Sequence, residues 1–180
     1  MRLFIAITLS DEMKTALVDA QNAMYDRGVR GNYSPAENLH LTIAFIGEYP
    51  EAEPVLDALR TVHFTPFELV PDGVGSFGDH WWAGVRESVP LTAVARRVRR
   101  ALAEGGIPFD RKGFVPHITL IRRASKAPAG IRIAPRGMTV DSISLMRSDR
   151  GRNGMIYTEL GCVEAIQNGE AAPWASTEND

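Results

Sequence analysis

Residues 38–47 read NLHLTIAFIG, and residues 115–124 read VPHITLIRRA. One phrase, histidine–apolar–threonine–apolar, occurs in both, as His40-Leu41-Thr42-Ile43 and as His117-Ile118-Thr119-Leu120. The two histidines stand 77 residues apart, too far for a turn or a cap to explain the repetition. Along a strand, residues i and i+2 point to one face and i+1 and i+3 to the other. His40 and Thr42 therefore share a face, with Leu41 and Ile43 behind them, and His117 and Thr119 repeat the arrangement. Each copy predicts a half-buried strand that presents an imidazole and a hydroxyl together.

The chain around these strands alternates between helix and strand signals. Residues 2–8 form a first strand. Ser10 or Asp11 caps a helix on which Met13, Ala16, Leu17, Ala20, Ala23 and Met24 recur at helical spacing, closed by Gly28 and Gly31. The first motif strand covers 39–46 and stops at Gly47. A helix over 51–62 turns Val55, Leu56 and Leu59 inward. Strands at 64–71 and 80–87 flank DGVGSFGD, residues 72–79, which reads as a flexible hairpin loop. VPLTAVARRVRRALAEGG, residues 89–106, is the clearest helix, with Pro90 in the first turn, a stripe of Leu91, Val94, Val98, Ala101 and Leu102, and a Gly105-Gly106 stop. The second motif strand covers 117–122. Strands at 139–147 and 155–164 enclose SDRGRNG, a turn-rich loop.

Such hairpin-like connections predict an α+β fold with antiparallel sheets rather than a parallel doubly wound one. Each half of the sequence supplies one motif and no linker divides them. The expectation is a single domain over 1–167 with two similar lobes. Residues 168–180 lack periodicity and are expected to form a flexible tail.

Composition limits the function classes. A hydrophobic share of 44% beside 23% charged residues is that of an ordinary soluble globular protein. No apolar run approaches the roughly 18 residues of a membrane span, and MRLFIAITLS reads as a strand rather than a signal peptide. The lone Cys162 excludes an internal disulfide and any cysteine-based zinc site, and fits a cytoplasmic location. A net charge of −2 argues against coating long duplex nucleic acid. Local basic groups, Arg122-Arg123 with Lys126 and Arg147, Arg150 and Arg152, suit a small anionic ligand or a nucleic-acid end. The Arg96–Arg100 run reads as a solvated face.

Two imidazoles and two hydroxyls facing one cleft are the parts for phosphoryl transfer without a metal. A neutral histidine takes a proton from the attacking oxygen while a protonated one supplies the leaving oxygen, and both forms are accessible near neutrality. Threonine hydroxyls can hold the phosphate between them. A zinc reading is weaker, since neither motif carries a further ligand at metal spacing; no metal and no cofactor are expected. Arg122 lies on the opposite face if alternation is unbroken, and reaches the phosphate only if the strand twists, bulges or ends. His63 and His80 belong to no motif and read as surface or turn histidines. Phe77, Trp81, Trp82 and Phe114 are candidates to stack a base; the adjacent tryptophans must face opposite ways.

With these residues in hand, the chain resembles the 2H phosphoesterase superfamily, and within it the RNA 2′,3′-cyclic phosphodiesterases also called 2′-5′ RNA ligases. The likeness runs through MRLFIAI, PAENLHLTIAFIGE, FVPHITLIR and the closing ISLMRS…YTEL. It implies a bilobal fold with a cleft between two antiparallel sheets, and hydrolysis of RNA 2′,3′-cyclic phosphate ends to 2′-phosphomonoesters. It also implies His40 as proton donor, His117 as proton acceptor, and phosphate binding by Thr42, Thr119 and Arg122. Phe77, Trp81 and Phe114 are the base-stacking candidates. RNA 3′ ends or small cyclic nucleotides are the implied partners of a monomer that needs no membrane or second protein. Tyr33-Ser34, where relatives carry a Trp-Val-like pair, and FGDHWWAG depart from the family pattern at places that bear on the base. An RNA-end binding module, or purely structural histidines, would share the same motifs without turnover.

Overall fold

The computed structural model describes residues 1–167, so the tail expected at 168–180 lies outside the described residues. Three α-helices and ten strands follow one another as β1 (Arg2–Thr8), α1 (Asp11–Asp26), β2 (Asn32–Tyr33), β3 (His40–Glu48), α2 (Glu53–Arg60), β4 (Phe67–Leu69), β5 (Pro71–Phe77), β6 (His80–Val85), α3 (Val89–Glu104), β7 (Ile118–Arg122), β8 (Met138–Val140), β9 (Ser142–Gly151) and β10 (Gly154–Glu164). A 3-10 turn at Ala36–Asn38 precedes β3.

Two four-stranded sheets, ordered β10-β9-β1-β3 and β2-β7-β6-β5, are accompanied by the short pair β4-β8. Every pairing is antiparallel. The α+β architecture expected from the sequence is therefore present. The lobes are not successive halves of the chain, however. The first sheet joins β1 and β3 to the C-terminal hairpin β9-β10, because β9 pairs along the side of β1 that β3 leaves open. A strand edge left unpaired would offer its backbone groups to other chains.

Local sequence explains the helices. The Ser10 hydroxyl accepts from the Met13 amide at 3.2 Å and the Ser88 hydroxyl from the Leu91 amide at 3.2 Å, capping α1 and α3. From their buried stripes, Met13, Leu17 and Met24 on α1 and Leu91, Val94, Val98, Ala101 and Leu102 on α3 join one continuous core with residues of both sheets.

Two segments differ from expectation. DGVGSFGD is not a loop: residues 71–77 form β5, and only Gly78-Asp79 turn between Phe77 and its partner His80. Gly75 lies under the Trp82 ring, where an added Cβ would sit 2.3 Å from Cη2. The glycine lets an indole cover the strand, so a composition typical of loops serves sheet packing. SDRGRNG is likewise mostly strand, since β9 runs to Gly151, paired with Gly154, leaving Arg152-Asn153 as the turn.

β3 is an edge strand and β7 has only two-residue β2 outside it, so the motif strands lie near the borders of their sheets. Both carry a bulge at the same place. Opposite β1, Ile5 pairs with Ala44 and Ala6 with Thr42, leaving Ile43 as the extra residue. Opposite β6, Trp82 pairs with Thr119 and Trp81 with Ile121, leaving Leu120 extra. A bulge shifts all later side chains to the other face. Ile43 and Ala44 are accordingly both buried, as are Leu120 and Ile121, and the next residues, Phe45 and Arg122, turn outward.

Candidate active site

A cleft of about 680 Å³ is bordered by His40, Thr119 and Arg122, and by Asn32, Tyr33, Asn38, His80, Arg123, Arg150, Asn153, Met155 and Tyr157 among others. A second cavity of about 570 Å³ is bordered by Thr42, His117, Phe45, Phe77, Arg99, Asp110, Lys112 and Phe114 among others. The two motifs thus meet where the cavities adjoin.

Each histidine is oriented by the same local device. His40 Nδ1 lies 2.7 Å from the carbonyl oxygen of Asn38, and His117 Nδ1 lies 2.6 Å from that of Val115. In both the acceptor is two residues upstream. An Nδ1–H donating to a carbonyl fixes ring and tautomer together and leaves Nε2 for chemistry. His40 Nε2 is 3.0 Å from Thr42 Oγ1, so the hydroxyl can donate to the neutral imidazole.

The surroundings of the two rings differ. His40 sits between Phe4 and Tyr157, with ring centroids at 5.0 and 5.2 Å, and Tyr157 meets it edge-on. This burial pushes its pKa below the usual imidazole value. The Asn38 carbonyl opposes the shift, whereas the charges of Arg122 and of protonated His117 reinforce it. His117 is flanked by Phe77 at 5.2 Å and Trp82 at 5.7 Å.

The bulge in β7 resolves the parity question at Arg122, which borders the cleft with His40 and Thr119. Gln21, a buried residue of α1, braces this bulge: its Nε2 donates to the carbonyls of Leu120 and Ser34, each at 2.9 Å. A lone buried Gln on a helix is the signal that sequence reading passed over.

Among the aromatic candidates, Phe77 and Phe114 border the His117-side cavity. Trp81 does not: its partner across the sheet is Ile121, and it packs against the core. The indole beside the site is Trp82, paired with Thr119 on the cleft face. One arginine and one histidine also depart from expectation. Arg99, assigned to a solvated face, borders the second cavity, its Nη1 donating to the Lys112 carbonyl at 2.7 Å. His80 borders the first cleft, with Nε2 3.5 Å from Asp79 Oδ1. His63 lies away from both, and its carbonyl accepts from Arg97.

Among the described residues, no three His, Cys, Asp or Glu side chains gather closely enough to hold a metal ion. No helix among them is long and apolar enough to cross a membrane.

Comparison with known proteins places this geometry in a family. The family model of the 2′-5′ RNA ligase superfamily matches residues 15–152. The RNA 2′,3′-cyclic phosphodiesterase of Thermus thermophilus is 34% identical over 180 residues, covering 89% of this chain and 88% of that protein. The Escherichia coli K12 protein of the same name is 33% identical over 168 residues, covering 88% and 93%. A Geobacillus stearothermophilus relative, 32% identical, matches 78% of this chain, which spans only 49% of that longer protein. The crystal structure of E. coli LigT in apo form superposes with a TM-score of 0.79 at 30% identity, covering 92% of this chain and 98% of that one. A crystal structure of a T. thermophilus protein gives 0.77 at 32% identity, covering 91% and 97%. With its two His-x-Thr strands, their matching bulges and this resemblance along most of its length, the chain belongs to the 2′-5′ RNA ligase superfamily.

Proposed function

We propose that this chain hydrolyses RNA or nucleotide 2′,3′-cyclic phosphate ends to 2′-phosphomonoesters by acid–base catalysis, without a metal. The observation that carries the reading is the pair of imidazoles, each tied through Nδ1 to the carbonyl two residues upstream, at the meeting of two cavities with Thr42, Thr119 and Arg122. The names of the relatives support the substrate class.

In the proposed step, His117 Nε2 takes a proton from water as its oxygen bonds to phosphorus. The bond from phosphorus to the ribose 3′ oxygen breaks, and protonated His40 supplies that oxygen with its proton. Thr42, Thr119 and Arg122 hold the non-bridging oxygens, and the guanidinium offers two parallel donors to them. The same chemistry with a 5′ hydroxyl in place of water would form a 2′-5′ linkage. Residues 1–167 are proposed to act as one unit and as a monomer, because one core runs through both lobes and one chain supplies both motifs.

The test is hydrolysis of a short RNA ending in a 2′,3′-cyclic phosphate, in excess chelator, by wild type, His40→Ala and His117→Ala. Turnover that survives chelation and falls about 10²–10⁴-fold in each variant is expected. Loss on chelation, or a variant as active as wild type, overturns the reading.

A further inference from the structure

One face of α3 takes no part in the site described above. Arg97, Arg100, Ala101 and Glu104 recur on it at helical spacing. With Thr61, Val62 and His63, which follow α2, they border a further cavity of about 340 Å³. Its floor is apolar, since Val62 and Ala101 are buried, and its rim is basic, since Arg97 and Arg100 are exposed. Arg97 ties the two walls together, its Nη1 donating to the His63 carbonyl at 3.0 Å. Among the described residues, no carboxylate comes within ion-pair distance of Arg96, Arg97 or Arg100. An apolar floor under a cationic rim fits an aromatic ring that brings negative charge with it.

The chain itself supplies such a segment. Beyond β10, the Ala165 amide donates to the Asp141 carbonyl at 2.7 Å and the Ile166 amide to the Phe64 carbonyl at 2.8 Å. Phe64 directly follows His63, so the described chain closes beside the cavity. Residues 168–180 then read NGEAAPWASTEND. They hold Glu170, Glu178 and Asp180, no lysine or arginine, and one large apolar side chain, Trp174. Trp174 stands seven residues beyond Gln167. That span reaches about 23–25 Å when extended and averages about 13–16 Å as a flexible chain. The cavity is about 7 Å across, by the cube root of its volume, and lies within either length of Phe64.

We propose that residues 168–180 dock on this face of their own chain. The Trp174 indole rests on Val62 and Ala101 between the guanidinium groups of Arg97 and Arg100, and the acidic residues beside it pair with the basic row. Burial of the ring and its contact with the cations carry the attraction, since exposed ion pairs add little singly. Tethering makes a weak contact sufficient. A short linker gives an effective concentration of order 1 mM, at which a contact with a Kd of about 0.1 mM is occupied about nine-tenths of the time. The docked segment clasps α3 to the stretch after α2 and to the end of β10, and it gives the Arg96–Arg100 run a partner in place of solvent. Neither histidine motif borders this cavity, so the docking is independent of the reaction proposed above.

The experiment is hydrogen exchange of the full chain, read over residues 168–180 and at the Trp174 indole N–H, in wild type, Trp174→Ala and Arg100→Glu. Wild type should exchange about tenfold more slowly there than an unstructured peptide, the ratio set by that occupancy. Trp174→Ala should bring the backbone to within about twofold of the unstructured rate. Arg100→Glu should remove up to about fivefold of the protection, and Glu104→Lys, which replaces the carboxylate of the cavity wall, should increase it. Arg100 and Glu104 are exposed, so amides of β1 and β9 should keep their wild-type protection in these variants. Exchange of 168–180 at the unstructured rate in wild type overturns the docking, as does protection that survives both Trp174→Ala and Arg100→Glu. Protection that grows with protein concentration assigns the cavity to the tail of a second copy and overturns docking within one chain.

Discussion

Gln21, in the third turn of α1, donates its side-chain amide to the carbonyl of Leu120, the extra residue of the β7 bulge, across 2.9 Å. The helix thereby braces the irregularity that turns Arg122 into the cleft. Gln21→Leu keeps the volume but strips the Leu120 and Ser34 carbonyls of a buried donor, at a cost of about 1–3 kcal/mol in urea denaturation. KM for a cyclic phosphate should rise several-fold with kcat changed less, because the guanidinium rather than either imidazole loses its support. An unchanged KM would separate Gln21 from Arg122.

Arg122 acts on His40 through its charge, besides the phosphate contact proposed for it. Its guanidinium helps to hold the His40 pKa down, so Arg122→Gln should move that pKa upward, toward the ordinary imidazole value. An NMR titration of the His40 ring reads this directly. Arg122→Lys should leave the titration near wild type while weakening inorganic phosphate binding, since an ammonium cannot form the two-pronged contact.

Burial of His40 has a consequence for stability. Its folded-state pKa lies below the value near 6.5 expected of an unfolded chain. Between those two values the unfolded state binds the additional proton, so stability falls as the pH falls. This contribution is complete above about pH 6.5 and is lost on acidification toward the folded-state pKa. Denaturation midpoints measured from pH 7.5 to 5 should show the slope in wild type and a shallower one in His40→Leu.

The same shift separates two kinetic profiles. As proton donor, His40 must be charged, and a bound cyclic phosphate brings a negative charge beside it. The alkaline limb of kcat should therefore lie at higher pH than the alkaline limb of kcat/KM, which reports the free enzyme. Coincident limbs would mean that the substrate's charge does not reach His40.

Gly75 tests the sheet that carries Trp82. A methyl group there meets the indole at 2.3 Å, so Gly75→Ala must displace the ring that flanks His117. Overpacking of this kind costs about 1–3 kcal/mol. Thermal denaturation should show that loss together with reduced turnover, whereas Gly113→Ala, where an added Cβ meets nothing within 4 Å, should show neither.

What the sequence made legible was whatever is local. Helical stripes on α1 and α3, a cap at Ser10 or Asp11, and the apolar backing of the two histidines follow from spacing within one element; the Ser88 cap of α3 was not read from it. Partnership between elements was not legible. The bulges at Ile43 and Leu120 exist only relative to β1 and β6, so spacing alone left the face of Arg122 conditional on a break in alternation and could not tell which of Trp81 and Trp82 lies beside His117. DGVGSFGD was misread for the same reason, since its Gly75 answers to an indole on the neighbouring strand. The return of β9 to β1, which divides the lobes differently from the two halves of the chain, is again a pairing choice.

The matching bulges also bear on which way round a substrate lies. Counting five residues on from each motif histidine gives Phe45 in one lobe and Arg122 in the other, both turned outward by the same slip in register. A cradle with true twofold symmetry would accept a phosphodiester in two reversed poses of equal energy. Here one equivalent position carries a ring and the other a guanidinium, so reversal would set a base against the cation and an anion against the ring. On the proposed mechanism the duplicated backbone supplies the pair of proton carriers, and this mismatch gives the pair a head and a tail.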